Sequence, residues 1–255
     1  MGIIQSIDLN CDLGESFGAY QLGQDAEILQ YVTSANIACG FHAGDPATMR
    51  KTVRLAFEKG VAIGAHPGFP DLVGFGRREM RVAIQDVQDL VLYQLGALHA
   101  FVVSEGAVLR HVKPHGALYN MAAKDREYAR AIATPLHRFD PSLILFGPSG
   151  SELITAGKSA GLRTASEVFA DRRYEQDGSL SPRNQPGGVI TECEQAIQQV
   201  LQMVQTGQVQ TRQGTSLPIQ AETICLHGDG PHALEFARRI RSALEALGVT
   251  VRGVG

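Results

Sequence analysis

The sequence predicts an α/β fold: a single domain over residues 1–255, built as an irregular (β/α) barrel of about seven parallel strands. Three observations carry this expectation. Short apolar runs alternate with amphipathic segments along the whole chain. One unit recurs: Ile37-Ala38-Cys39 runs into Gly40-Phe41-His42-Ala43-Gly44-Asp45-Pro46, and Thr223-Ile224-Cys225-Leu226 runs into His227-Gly228-Asp229-Gly230-Pro231, each before a helical pattern. Polar residues follow nearly every apolar run, which suits a barrel whose whole carboxyl rim forms one site; an open parallel sheet with one crevice also fits.

The elements follow in order. The first strand is Ile3 to Leu9, passing into Asn10-Cys11-Asp12-Leu13-Gly14-Glu15, with a helix around Asp25 to Tyr31. After the strand Ile37 to Cys39, Asp45 reads as an N-cap and Pro46 as the first helical residue; Met49, Val53, Ala56 and Phe57 share a face, and Gly60 is the stop. Val61 to Ala65 is the third strand, closing on His66-Pro67-Gly68-Phe69-Pro70-Asp71. The glycine-rich loop behind it, through Gly74, Gly76, Arg77 and Arg78, is longer than most βα connections, which favours a functional role. A long helix from Ile84 to Ser104 turns Val87, Val91, Leu95 and Leu98 inward. Val108 to Val112 is the fourth strand and delivers Lys113-Pro114-His115-Gly116.

A helix over Arg126 to His137, a strand over Leu143 to Phe146 and a strand over Arg163 to Phe169 come next. The last of these presents Glu167, Asp171, Arg172 and Arg173. Tyr174 to Gly188, polar and broken by glycine and proline, reads as a lid or binding loop. A helix over Val189 to Gln205, a Gln-rich surface excursion over Thr206 to Ala221, the seventh strand and a helix ending at Gly248 complete the chain.

Composition excludes several classes. Hydrophobic residues are 44% of the chain but dispersed, so no segment is expected to approach the apolar length of a membrane helix. Met1 to Asn10 lacks the basic region and cleavage site of a signal peptide. A formal net charge of −3 without a basic run argues against nucleic acid. The four cysteines, Cys11, Cys39, Cys193 and Cys225, form no CxxC pair, and three lie on expected strands; they read as small buried hydrophobes in a reducing cytoplasm.

The candidate chemistry lies at the strand ends. Asp12 and Glu15, with no evident capping role, could act as a general base and acid if their environments push them apart, whereas Asp45 and Asp229 also read as N-caps. His42, His66, His115 and His227 occupy corresponding positions. With a carboxylate they could bind a divalent metal, although their spacing matches no short zinc signature. Lys113 could hold an anion or polarise a carbonyl. Arg77, Arg78, Arg172, Arg173 and Arg183, on the two long loops, could clamp an anion or be ordinary surface charge. Gly150 to Ser159 superficially suggests a P-loop, but six residues separate the glycines where four are required.

Taken together, Asp8 to Glu15, Asn36 to Pro46, Gly64 to Asp71, His111 to Tyr119 and Cys225 to Asp229 resemble the LamB/YcsF family, with the motifs in the family's order from the first strand to the last helix. The resemblance implies a barrel similar to those of glycoside hydrolases and deacetylases. It also implies ATP-dependent opening of the 5-oxoproline lactam to L-glutamate, with ATP as co-substrate and with 5-oxoprolinase subunits B and C as partners. On that reading the catalytic residues are Asp12, Glu15, Lys113 and His115. Substrate would be bound among Asn10, Asn36, His42, Asp45, His66, Arg77, Asp171, Arg183, His227 and Asp229. Two alternatives stand beside it: a metal-dependent amidohydrolase or deacetylase acting alone, and a non-catalytic subunit that binds 5-oxoproline.

Overall fold

The computed structural model describes residues 4–227 and 233–254, except for the side chain of His227; Asp229, one of the expected site residues, lies outside the described residues. In chain order the elements are β1 (Ser6–Leu13), α1 (Asp25–Ile28), β2 (Ser34–Ala38), α2 (Pro46–Glu58), β3 (Ala62–His66) and α3 (Ile84–Ser104). Next come β4 (Leu109–Val112), α4 (Gly116–Lys124), α5 (Arg126–Phe139), β5 (Ile144–Pro148), α6 (Glu152–Ser159) and β6 (Arg163–Phe169). The remainder is α7 (Cys193–Thr206), β7 (Gln208–Gln210), β8 (Ser216–Pro218), β9 (Thr223–His227), α8 (Ala233–Ala246) and β10 (Thr250–Val251).

Seven strands close into a parallel barrel. Pairing runs from β1 through β2, β3, β4, β5 and β6 to β9, and β9 pairs back onto β1. Closure leaves the ring no free edge and brings every strand's carboxyl end to one rim. The open-sheet option is thereby excluded. β10 adds only to the amino end of β1, pairing Ser6 with Thr250.

Alternation along β1 explains the barrel's layers. Ile7, Leu9, Cys11 and Leu13 belong to the hydrophobic core between strands and helices. Asp8, Asn10 and Asp12 are also buried, but they bond to polar side chains of other barrel strands. The first strand therefore runs on to Leu13 rather than ending at Leu9. The residues that read as a polar loop are inward-facing members of the strand. For the same reason β2 starts at Ser34, ahead of the expected apolar run, because Ser34 and Asn36 face the interior. Ile144, Phe146 and Ala165 form a separate apolar cluster on the β5 and β6 side.

Helices behave largely as their patterns require. In α3, Val87, Val91, Leu95 and Leu98 are buried as expected, with Gln94 and Val102 beside them. By length and composition α3 could cross a membrane, contrary to the expectation that no segment approaches that length; here its apolar face packs into the core. Sequence reading missed α4, which buries Ala117, Leu118, Tyr119 and Ala122. α7 starts at Cys193, later than the expected Val189, because Val189 instead bridges to Arg172 and the Ile190 amide donates to the Asp171 carbonyl. The excursion expected over Thr206 to Ala221 contains the antiparallel pair β7 and β8, with Val209 buried.

Candidate active site

The barrel interior is a stack of polar side chains rising towards the carboxyl rim. At the base, Asp8 accepts from Thr33 Oγ1 at 2.7 Å, Ser34 Oγ at 2.7 Å and the Thr223 hydroxyl. Burial raises its pKa to about 6, partly offset by those hydroxyls. One level up, Asn10 Nδ2 donates to Glu167 Oε1 at 2.9 Å and Thr223 Oγ1 at 2.6 Å. Asn36 Nδ2 donates to Asn10 Oδ1 at 2.7 Å and Asp12 Oδ1 at 2.8 Å. That leaves Asn36 Oδ1 to accept from His111 Nε2 at 2.8 Å, which places the His111 proton on Nε2. His111 lies flat on Phe146, with ring centroids 4.3 Å apart, and burial lowers its pKa to about 3.

Lys113 is the hub. Its Nζ lies 2.9 Å from Asp12 Oδ1, 2.9 Å from Glu167 Oε1 and 2.9 Å from Cys225 Sγ, with Asn10 Oδ1 a longer fourth acceptor at 3.4 Å. Burial opposes the charge, but the carboxylates of Asp12 and Glu167 outweigh it and hold the lysine well above its ordinary range. The buried Cys225 thiol is pushed well above its usual range, first by burial, so it meets Lys113 as S–H. Tyr119 donates its hydroxyl to the second oxygen of Glu167. Glu167, Tyr119, His111 and Cys225 are site residues that sequence reasoning left unassigned. His111 and Cys225 read as parts of strands, Tyr119 sits on the missed helix α4, Glu167 reads as one more polar residue near a strand end, and only their inward register reveals their role.

Four side chains crown this stack: Glu15 after β1, His42 after β2, His66 at the end of β3 and His115 before α4. All four are buried, and their potential ligand atoms lie within 4.8 Å of one another, so the group could hold a metal ion. His42 and His115 are neutral at ordinary pH, because burial lowers their pKa well below the usual value. Their support is specific. Gln94 of α3 makes two 2.9 Å bonds to the Gly68 backbone, fixing the loop beneath them. Phe75 adopts φ +53°, a strained conformation for a bulky residue, with its ring edge-on to His42 and His115.

The other expected site residues are placed differently. Asp45 accepts from the amides of Ala47, Thr48 and Gly18, so it caps α2 and ties down the loop after β1. Arg77 is exposed, its guanidinium 4.8 Å above the Phe75 ring. Arg172 is buried, donates to the Ser181 carbonyl, and has no partner for Nε among the described residues. Burial, then the charges of Arg183 and Arg77, lower its pKa to about 10 against the pull of Asp171, so these four charged groups share one neighbourhood. The expected lid, Tyr174 to Gly188, is tied down: the Arg212 amide donates to the Tyr174 carbonyl, the Ser181 amide to the Arg173 carbonyl and the Arg173 amide to the Gly188 carbonyl. His227 pairs its backbone with Asp12, which brings it to the same rim.

Comparison with known proteins agrees with this geometry. The chain is 61% identical over 248 residues to the 5-oxoprolinase A subunit of Brevibacillus brevis, covering 97% of this chain and 98% of that one. The 5-oxoprolinase A subunit of Bacillus subtilis is 58% identical over 248 residues, covering 97% of this chain and 96% of that one. The crystal structure of a lactam utilization protein from Thermus thermophilus superposes with a TM-score of 0.92 at 51% identity, over 98% of this chain and 100% of that chain. The model of the LamB/YcsF family matches residues 7–255. The chain belongs to the LamB/YcsF family.

Proposed function

We propose that this chain is the A subunit of a 5-oxoprolinase, a hydrolase that opens the 5-oxo-L-proline lactam to L-glutamate at the expense of ATP, together with subunits B and C in the cytoplasm. The observation that carries the reading is its 61% identity, end to end, to a protein of that name. The site gives the chemistry its parts. A five-membered lactam is a poor electrophile, so its carbonyl oxygen needs activation, as in a phosphate ester formed from ATP, before water attacks.

Asp12 is the base for that water. Lys113 and Asn36 hold Asp12 Oδ1, which favours the charged carboxylate and leaves Oδ2 facing the rim beside His66 at 3.3 Å. Glu15 is the second carboxylate, placed to move a proton to the leaving amine. Lys113 stabilises the negative charge on the phosphorylated lactam oxygen by exchanging the Cys225 thiol for it; the tetrahedral adduct then expels the protonated ring amine, and a second water cleaves the resulting acyl phosphate to glutamate and inorganic phosphate. Arg172, whose buried Nε has no partner among the described residues, holds the substrate carboxylate; Arg77 and Arg183 add positive charge to that wall, and Asp171 offsets part of it and orients the arginines. Asn10, His42, His66 and His115 contact the ring, and His227 and Asp229 stay candidates for substrate binding on the sequence alone.

Partner docking has a surface to use. Loops at the rim expose Phe17, Tyr20, Leu72 and Val73, the last 93% exposed. The test is 5-oxoproline-dependent ADP release by this chain mixed with its B and C subunits, against the chain alone and the mixture lacking it. Release only in the complete mixture supports the reading, and none in any mixture of folded subunits sinks it. The Glu15–histidine group favours one other reading, a metal-dependent amidohydrolase acting alone; lactam hydrolysis by the isolated chain, abolished by a chelator, would select it.

A further inference from the structure

His66 and His115 face each other with the wrong atoms for a hydrogen bond. His66 Nδ1 lies 2.7 Å from the Lys113 carbonyl oxygen, and His115 Nε2 lies 2.8 Å from the Phe75 carbonyl oxygen. A carbonyl only accepts, so each of those nitrogens carries its ring's proton. In neutral rings that leaves His66 Nε2 and His115 Nδ1 as bare lone pairs, yet they are 2.9 Å apart. Asp12 Oδ2 adds a third acceptor 3.3 Å from His66 Nε2, and Glu15 Oε1 a fourth 3.8 Å from His115 Nδ1. Four buried acceptors converging on one point repel one another unless positive charge lies between them.

We infer that His66 Nε2, His115 Nδ1, Glu15 and His42 Nε2 form a binding site for one divalent transition-metal ion of the zinc class. The donor set, imidazole nitrogens with a carboxylate, is the one that such ions prefer, and the backbone carbonyls on the far nitrogens fix the tautomers that ligation requires. His42 is the adaptable member. It is fully buried, neither ring nitrogen has a hydrogen-bond partner among the described residues, and its Nε2 lies 3.8 Å from Glu15 Oε1. Its ring stacks parallel on His115 with centroids 3.7 Å apart, so the two planes cannot both contain one ion. Ligation tilts His42 out of the stack, and no hydrogen bond has to break for it to turn.

The glycines around the cluster point the same way. A Cβ on Gly68 would come within 2.7 Å of His42 Nδ1, and one on Gly76 within 2.7 Å of His42 Cβ and 2.8 Å of His115 Cδ2. Both positions are kept clear for the rings. The rival occupant is a proton shared between His66 and His115. A shared proton would leave both ring nitrogens of the buried His42 without a partner among the described residues, which disfavours that choice.

The site is independent of which lactam is hydrolysed, so its test uses no substrate. Full-length protein stripped with a chelator and dialysed is titrated with Zn²⁺ and with Co²⁺, following heat, the visible absorption of bound Co²⁺, and Tm. We expect one equivalent bound, a visible cobalt band, and a Tm higher by several degrees at saturating metal. His66→Ala, His115→Ala and the milder Glu15→Gln should each weaken binding at least about tenfold. That is the scale of losing one ligand or its support. Circular dichroism certifies each variant's fold. No saturable binding by folded wild-type protein would overturn the assignment, as would undiminished binding by the folded histidine variants. An imidazole proton resonance unaffected by either metal would assign the space to the shared proton instead. Failure of the lactam assay alongside one tightly bound equivalent would reject the oxoprolinase reading and leave the metal site standing.

Discussion

Lys113 Nζ stands 2.9 Å from an oxygen of Asp12 and 2.9 Å from an oxygen of Glu167, so one buried ammonium serves two buried carboxylates from different strands. Removing the lysine strands both acids in the barrel. Lys113→Met should cost about 3–5 kcal/mol of stability, the range for breaking a buried pair from one side. With fold retained, it should lower 5-oxoproline turnover by at least about a hundredfold, as should Asp12→Asn. Adding Glu167→Gln to Lys113→Met should recover part of the stability and none of the turnover. Urea unfolding beside the ADP-release assay reads both; normal turnover in folded Asp12→Asn would remove it as the base.

Arg172 offers a different signature. If its Nε holds the substrate carboxylate, Arg172→Gln should raise KM for 5-oxoproline at least about tenfold while kcat falls much less, the pattern of lost uniform binding. An unchanged KM would return the residue to a structural role on the Ser181 loop.

Gly64 on β3 is the register partner of His111 on the neighbouring strand β4, and a Cβ there would overlap the imidazole. Gly64→Ala should therefore destabilise the fold by about 1–3 kcal/mol, the usual cost of overpacking. Combining it with His111→Ala should relieve most of that loss. Equal penalties in the presence and absence of the imidazole would disprove the clash.

Stability should also carry two opposing pH dependences. His111 titrates at about 3 in the fold against an ordinary 6.5, so the unfolded chain binds its proton first as pH falls. Its contribution is present above pH 6.5 and is lost between 6.5 and 3, up to about 5 kcal/mol at about 1.4 kcal/mol per pH unit. Asp8 runs the other way. Its pKa is raised to about 6 from 3.8, so its contribution is present below 3.8 and is lost as pH rises through about 6, up to about 3 kcal/mol. His111→Gln should flatten the acid limb and Asp8→Asn should steepen it, measured as urea midpoints between about pH 3 and 7, the span that covers both transitions. Parallel curves for both variants and wild type would contradict the assignment.

Much of this molecule was legible in its sequence. The alternation of apolar runs with amphipathic helices specified a parallel α/β fold, with its closure into a barrel left to the structure, and Asp45 before Pro46 specified how α2 starts, because both signals are local and depend on spacing alone. The strand-end positions of Asp12, His66, Lys113 and His115 were readable for the same reason. What the tertiary structure decided is which buried polar groups meet. Asn10 and Glu167 are 157 residues apart, and Lys113 and Cys225 are 112 apart. Only closure of β9 onto β1 and the inward register of each strand bring them within hydrogen-bond distance. The pairing of lone pairs between His66 and His115 was equally hidden. It depends on two backbone carbonyls, from Lys113 and Phe75, whose directions are set by the folded chain and not by residue type.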